Sequence, residues 1–420
     1  METKETFERV ILVGTDHGEK GFDLDESMQE LKELAHAAGA EVVGQLTQNL
    51  DKISSRIYIG SGKVEEIAQL ALETEADAMI FNEELSGSQL RNLEELLEIK
   101  IIDRTNLILD IFALRATSME GQLQVKLAQM KYRLPRIIGY SDYLSRTGGG
   151  IGTRGPGEQK LETDRRHVMR EIRNVEKQLA AVSKNRETSR KQRTDANIPI
   201  VALIGYTNAG KSTIMNQIVD DEKQVFVKDM LFATLDTSLR KARFNTGGAF
   251  LLSDTVGFVS KLPTTLVNSF MSTLEEIKHA DLILHVVDAS NEHLDLQIDA
   301  TMKVLNDLEV GEKKMLMVFN KIDRISMDAL DSIHEKFEDK IFISALENHD
   351  ISRLLDRIEL LLGDKFKTLT FELPFENMNV LDYFMKKYEV FELEYTEKGA
   401  VFKASVNHED AQRYTQFVKV

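Results

Sequence analysis

Between Gly205 and Ser212 the chain reads GYTNAGKS, a glycine, four residues, then Gly-Lys-Ser. Those types at that spacing make a phosphate cradle. Glycines let backbone N–H groups approach phosphate oxygens and fold the loop into an anion-binding concavity. In such a loop Gly205, Tyr206, Thr207, Asn208, Ala209 and Gly210 supply the backbone. Lys211 reaches the β and γ phosphates, the Ser212 hydroxyl is a magnesium ligand, and Thr213 follows in the first turn of a helix whose positive end faces the same charges.

Further residues extend that chemistry in the expected order. Asp254, Thr255, Val256 and Gly257 form an Asp-x-x-Gly some forty residues after the loop. There Asp254 is expected to hold magnesium through water, and Gly257 to donate its N–H to a γ-phosphate. Asn320, Lys321 and Asp323 follow as Asn-Lys-x-Asp. A carboxylate at Asp323 can accept from guanine N1–H and the 2-amino group, whereas adenine would leave it unpaired, which gives large discrimination. Asn320 is expected on the other edge of the base, and Lys321 over the ring. Ser344-Ala345, with Leu346 next, is the short turn whose N–H would meet guanine O6. Within LFATLDTS, Phe232 and Ala233 lead to Thr234, the preferred second hydroxyl ligand for magnesium, with Thr237 and Ser238 as competitors. Hydrolysis needs an oriented water, and the position after Gly257 holds Phe258, which has no polar group to orient one. Slow hydrolysis accelerated by a partner is one expectation. Another residue of the chain doing that work is the alternative.

These residues need strands to carry them. Ile200–Ile204, LLSD at 251–254, LILHVVD at 282–288, KMLMVFN at 314–320 and IFIS at 341–344 are apolar runs suited to a parallel sheet buried on both faces. Each delivers its polar residues at the carboxyl end, where open α/β sheets bind ligands. A helix of about a dozen residues is expected after the phosphate loop. Upstream, FERVILVGT, AEVVGQLTQ, RIYIG, DAMIF and KIIDR alternate with helical stretches, which predicts a separate α/β unit. Its IGSGKV run fails as a second phosphate loop, because Val64 stands where a hydroxyl is required. The turn into a helix is the better reading there.

From Asn106 the periodicity becomes helical. Leu123, Leu127, Met130 and Leu134 fall on one face as far as Pro135, and Leu161, Val168, Ile172, Val175, Leu179 and Val182 repeat at heptad-like steps after Glu158. Two such stripes joined by RTGGGIGTRGPGE predict an antiparallel helical hairpin with a glycine-rich tip at 146–158. The glycines there are not a dinucleotide fingerprint, because no strand precedes them and Pro156-Gly157 follows. Arg186–Asn197 is polar and reads as a linker. Residues 366–420 read as a small α+β unit with a hairpin turned at Glu397-Lys398-Gly399. The expected organisation is an N-terminal α/β unit at 1–105, the hairpin and basic linker at 106–195, a doubly wound, mostly parallel GTP-binding unit at 196–365, and the C-terminal unit at 366–420.

With 420 residues, several cores are affordable by length alone. The absence of cysteine excludes a disulfide framework and suits a reducing cytosol. The first residues lack a signal peptide's apolar core, and no apolar run reaches membrane-spanning length. The net charge of −16 conceals an asymmetry. From Lys131 to Arg193, sixteen Lys and Arg face seven Asp and Glu, a surplus of nine that leaves −25 for the rest. A basic segment on an acidic chain is a phosphate-backbone footprint.

Taken together, GGGIGTRGPGEQKLETDRR, IGYTNAGKST, LFATLD, DTVGFVSKLPTTLVNSFMSTLEEI and HVVDAS resemble the HflX family of translation-associated GTPases. The resemblance implies Mg2+-dependent GTP hydrolysis and binding to the large ribosomal subunit and its RNA. Arg146, Arg154, Lys160, Arg165 and Arg166 of the hairpin are the expected RNA contacts. It also implies action on stalled ribosomes by splitting or rescue, in the cytoplasm and as a monomer. A hydrophobic residue at Phe258 belongs to that pattern. Thr237-Ser238-Leu239 after Asp236 departs from it, since the family has Pro and two threonines there. A factor acting on immature large subunits and a switch with a protein partner are the alternatives.

Overall fold

The structure is a computed structural model that describes residues 7–18, 23–147, 156–195, 198–219, 239–254, 257–258, 277–337, 339–363, 366–388 and 390–419. It is a multidomain α/β chain that divides into two compact units near residue 181.

The first unit begins with a four-stranded parallel sheet in the order β2-β1-β3-β4, made of Glu8–Asp16 (β1), Ala40–Asn49 (β2), Ala78–Phe81 (β3) and Lys100–Asp103 (β4). Parallel neighbours need crossover helices, supplied by Leu24–Ala37 (α1), Ser61–Thr74 (α2) and Gly87–Leu97 (α3). Local signals start them. Asp23 caps α1 by accepting from the N–H of Asp25 and Glu26, and Ser86 with Gln89 forms a capping box on α3. Ser61 opens α2 with Gly60 as its N-cap, as the sequence reading of IGSGKV expects.

The RIYIG run is not a strand. The Ser54 hydroxyl accepts from the N–H of Arg56 and Ile57, and Tyr58 takes a left-handed φ of 67° that no pleated strand allows. Ile57, Tyr58 and Ile59 are nonetheless buried, so the apolar run reports burial without strand geometry.

Arg104–Arg115 (α4) ends where Ala116 turns extended, and Met119–Thr147 (α5) restarts with the Ser118 hydroxyl accepting from Gly121 N–H. Helix α5 passes through Pro135, and Pro156–Asp195 (α6) runs on to Asp195 through the stretch read as a linker. Nothing between Glu158 and Asp195 is Gly or Pro, and Lys, Arg, Glu and Gln are strong helix formers, so polarity there means a solvated helix. The two stripes meet as expected: Leu123, Leu127, Met130 and Leu134 pack on Val168, Ile172, Val175 and Leu179. The Leu161 side chain lies outside the described set, and Val182 is half-buried beyond the seam.

One buried network ties α5 to the sheet. Arg136 stacks on Tyr132, 3.3 Å from the ring centroid, and donates to the carbonyl oxygens of Leu85 and Tyr132 and to Asp103 Oδ2. The Tyr132 hydroxyl closes on Asp103 Oδ1. The Asp103 carboxylate, fully buried, also accepts from the N–H of Leu85 and Asn106.

The second unit contains a six-stranded sheet ordered β10-β9-β8-β5-β7-β6. Its strands are Ile200–Gly205 (β5), Leu239–Arg243 (β6), Ala249–Asp254 (β7), Leu282–Asp288 (β8), Met315–Asn320 (β9) and Lys340–Phe342 (β10), all parallel except β6. Lys211–Ile218 (α7) follows β5 and is eight residues long, shorter than the dozen expected, because Val219 leaves the helix to bridge Ala242 of β6. Helices Leu294–Asp307, Met327–Lys336 and Asn348–Leu362 follow.

A third, antiparallel sheet orders Phe366–Pro374 (β11), Gly399–Asn407 (β13) and Val390–Thr396 (β12) as β11-β13-β12, against helices Met378–Lys387 and His408–Arg413. The β6–β7 turn reaches it. Asn245 donates to Ser352 and Asp356, Thr246 donates to Glu359, and added Cβ atoms at Gly247 and Gly248 would collide with Phe391 and Thr368 at 2.7 Å. Among the described residues no helix is long and apolar enough to cross a membrane.

Candidate functional site

The strand order reverses around β5, with β8 on one side and β7 on the other, and the sequence's polar residues gather at the carboxyl ends of these strands. Gly205 ends β5 at φ 145°, and a Cβ there would lie 2.1 Å from the carbonyl oxygen of Val286 on β8. The backbone turns through left-handed Asn208 and Gly210 into α7.

Lys211 curls back under this loop. Its Nζ donates to the carbonyl oxygens of Gly205 (3.0 Å) and Tyr206 (2.7 Å). Burial lowers its pKa from 10.5 to about 8, partly offset by the nearby Asp254 carboxylate. Asp254 is fully buried at the end of β7. The segment after it is fastened to the phosphate loop: Thr207 N–H donates to Phe258 O (2.8 Å), and Phe258 N–H donates to Gly205 O (3.1 Å). A Cβ on Gly257 would come within 2.7 Å of Thr207 Cγ2 and 3.0 Å of Thr207 Cα, so glycine lets this backbone lie close against the phosphate loop, with Lys211 Nζ next at 3.1 Å. The Phe258 ring is 3% exposed, in the core.

At the other end, Asn320 has partners that the motif alone does not reveal. Its Nδ2 donates to Ala209 O and its Oδ1 accepts from Ala345 N–H, both at 2.9 Å. The amide expected at the base also clamps the phosphate loop to the Ser344-Ala345 turn. Lys321 sits at a left-handed φ of 63° with its Nζ on Asp288 Oδ2 at 2.7 Å. Asp323 lies in the 3-10 turn Ile322–Arg324 with its carboxylate exposed. Ser344 N–H donates to Asp350 Oδ2, which Arg353 holds from its other oxygen, and Leu346 is exposed beyond the turn.

Sequence reasoning therefore missed Asp288, Asp350 and His285. Asp288 acts on Lys321, 33 residues further on, whereas Asp350 acts on Ser344 six residues before it, through a carboxylate that no motif singles out. His285 lies on β8 beside Ile204, and burial, with Lys211 nearby, pushes its pKa down to about 4. Phe232, Ala233, Thr234, Thr255 and Val256 lie outside the described residues, as do Arg154 and the side chains of Arg146 and Lys160. Arg165 and Arg166 are exposed on α6, in the first unit.

A magnesium ion fits what is described. The buried Asp254 carboxylate and the half-buried Ser212 hydroxyl are hard oxygen donors, the kind Mg2+ selects over nitrogen or sulfur.

Three family models match in series: GTP-binding GTPase N-terminal over residues 25–113, GTP-binding GTPase Middle Region over 115–193, and 50S ribosome-binding GTPase over 200–321. A protein named GTPase HflX from Caldanaerobacter subterraneus subsp. tengcongensis is 47% identical, across 94% of this chain and 90% of that one. The chain belongs to the HflX family of GTPases. The Escherichia coli GTPase HflX is 40% identical, across 83% of this chain and 82% of its own. Among solved structures, the crystal structure of SsGBP with GDP has 24% identity and a TM-score of 0.49, covering 85% of this chain and 99% of that one. As a member of the HflX family the chain is an enzyme that binds GTP and hydrolyses it to GDP and phosphate.

Proposed function

We propose that this GTPase acts on the large ribosomal subunit, gripping ribosomal RNA through its basic hairpin and coupling GTP binding and hydrolysis to splitting or rescue of stalled ribosomes. The surplus of nine positive charges between Lys131 and Arg193 carries this reading. The description of the matching family model as a 50S ribosome-binding GTPase supports it. The contacts proposed for RNA are Arg146, Arg154, Lys160, Arg165 and Arg166, on a cytoplasmic monomer.

At the nucleotide site, the loop amides of Gly205 to Thr213 cradle the phosphates. Lys211 exchanges its two carbonyl partners for β and γ oxygens. Asp254 and Gly257 sense the γ-phosphate, with Thr255 and Val256 between them. Lys321, Asp323, Ser344, Ala345 and Leu346 surround guanine, and Asn320 keeps that turn in register with the phosphate loop. Ser212 and Thr234 would hold Mg2+, with Asp254 through water, and the bound ion would neutralise charge developing on the phosphate oxygens. Phe232 and Ala233 bring Thr234 to the site. With Phe258 turned into the core, water is oriented by a group that the ribosome supplies or orders.

The test is the GTP hydrolysis rate of the purified protein with increasing amounts of large subunit. A saturable rise of about tenfold or more, roughly 1.4 kcal/mol off the barrier, together with loss of 70S particles in light scattering, is the expected result. A flat rate with intact 70S particles defeats the reading, and preferential binding of precursor subunits moves the role to assembly.

A further inference from the structure

Two opposite charges, Lys321 and Asp323, leave the carboxyl end of β9 within two residues of each other. A lysine ammonium on its flexible four-carbon stem can reach a carboxylate at that separation. Such a pair would occupy the oxygens of Asp323 that the donor edge of guanine needs. Among the described residues no such pair forms. Lys321 Nζ lies 2.7 Å from Asp288 Oδ2, with 17% of each side chain exposed, and this is the one ion pair that Lys321 makes there. Asp323 keeps an open carboxylate, with Arg324 Nε at 3.9 Å as its ion-pair neighbour, beyond hydrogen-bond distance.

The sheet itself supplies the competing anion. Asp288 ends β8 directly opposite Asn320 in the parallel register with β9, so the neighbouring strand brings a carboxylate beside Lys321. Its second oxygen accepts from the Ser290 N–H at 2.9 Å and from the Ser290 hydroxyl at 2.6 Å, which fixes the carboxylate. Ala289 N–H donates to Asn320 O at 2.9 Å and ties the two strand ends together. Lys321 takes its left-handed φ of 63° at this junction, a conformation that a side-chain-bearing residue keeps only where its surroundings are fixed. Partly buried charges are screened by salt less than exposed ones, which favours Asp288 over the more exposed Asp323 as partner of the ammonium.

We propose that Asp288 is a positioning residue for guanine selection: it holds the Lys321 ammonium away from the Asp323 carboxylate, which stays open to the N1–H and 2-amino group of the base. This rests on the reading of Asn320, Lys321 and Asp323 as the guanine pocket and gives part of the selectivity to a residue outside that motif. With the charge of Asp288 removed, the ammonium turns to Asp323 and competes with the base for the same oxygens. The 2-amino group then loses its acceptor, so guanine loses its advantage over hypoxanthine, which has N1–H and no 2-amino group.

The test uses the full chain and competes GDP, IDP and ADP against a fluorescent GDP analogue. Asp288→Asn is isosteric and keeps an oxygen for Ser290, and circular dichroism checks its fold. Its preference for GDP over IDP is expected to fall about tenfold, the scale of one hydrogen bond to a charged group. Lys321→Met and the double variant D288N/K321M complete a cycle. With no ammonium to hold, the second substitution is expected to leave the preference of K321M unchanged. If Asp288 only staples the strand ends, D288N weakens GDP and IDP equally and the ratio stays put. That result overturns the proposal and leaves the guanine pocket standing. An equal fall in the K321M background shows that Asp288 acts without Lys321 and overturns it as well. Unmodified protein that binds ADP as tightly as GDP overturns the pocket reading along with the proposal.

Discussion

If Lys211 receives the phosphates as proposed, nucleotide binding is expected to be a proton-linked event. In the described state its ammonium sits buried on two carbonyl oxygens, with a pKa lowered to about 8. The sign follows from that lowering. Between pH 8 and 10.5 the folded protein holds fewer protons at this site than the unfolded chain, so the group's destabilising effect is full below pH 8 and fades as the pH rises. Phosphate oxygens reverse this, because anions within a few ångströms favour the charged form. Binding GDP or GTP therefore takes up a proton wherever the free lysine is neutral. At pH 8.5 the uptake is about 0.8 proton, and affinity falls roughly fourfold between pH 7 and pH 8.5. Calorimetry in buffers of different ionisation enthalpy reads the uptake directly, below the range where the guanine N1–H itself ionises. Zero uptake at pH 8.5 with a flat affinity profile would refute the reasoning and show that Lys211 is fully charged before nucleotide arrives.

Two substitutions test other parts of the structure. Asn320→Ala strands the buried Ala209 carbonyl and Ala345 N–H, each at about 1–3 kcal/mol, so urea denaturation and affinity for GTP and GDP suffer together. Loss of guanine selectivity alone, with stability untouched, would return Asn320 to the role of a simple base contact. Arg136→Leu removes the cation from buried Asp103, a change that costs about 3–5 kcal/mol for a buried pair, discounted because Arg136 is 15% exposed. Hydrogen exchange in α3, α4 and the base of α5 accelerates while GTP binding is retained, and unchanged exchange there counts against the network as the anchor of the hairpin.

The parts of this protein that were legible in its sequence are those where chemistry restricts the residue type. Gly-Lys-Ser, Asp-x-x-Gly and Asn-Lys-x-Asp each sit at a strand end, as the runs before them predict. The hairpin seam was legible because periodicity forces Leu127 and Ile172 to one face. What stayed hidden depends on partners distant in the chain. The clamp by Asn320 acts on a carbonyl 111 residues away, and Asp288 shows its use only once Lys321 is beside it. RIYIG misled because burial and strand geometry coincide in most apolar runs but part at left-handed Tyr58. The stretch before Asp195 misled because a solvated helix and a linker share a composition.

The turn at Asn245 to Gly248 has a consequence for anyone dissecting the chain. Two glycines press against the C-terminal sheet where any side chain would collide, and two polar residues are spent on the helix Asn348–Leu362. A fragment ending at Leu362 keeps everything from Gly205 to Ala345, and the partners of Asn245 and Thr246 too, yet strips Phe391 and Thr368 from the turn of the β6–β7 hairpin that leads into Asp254. For the same reason a C-terminal sheet borrowed from a relative has to bring its own matching turn. The boundary drawn most naturally on paper is a poor place for the scissors.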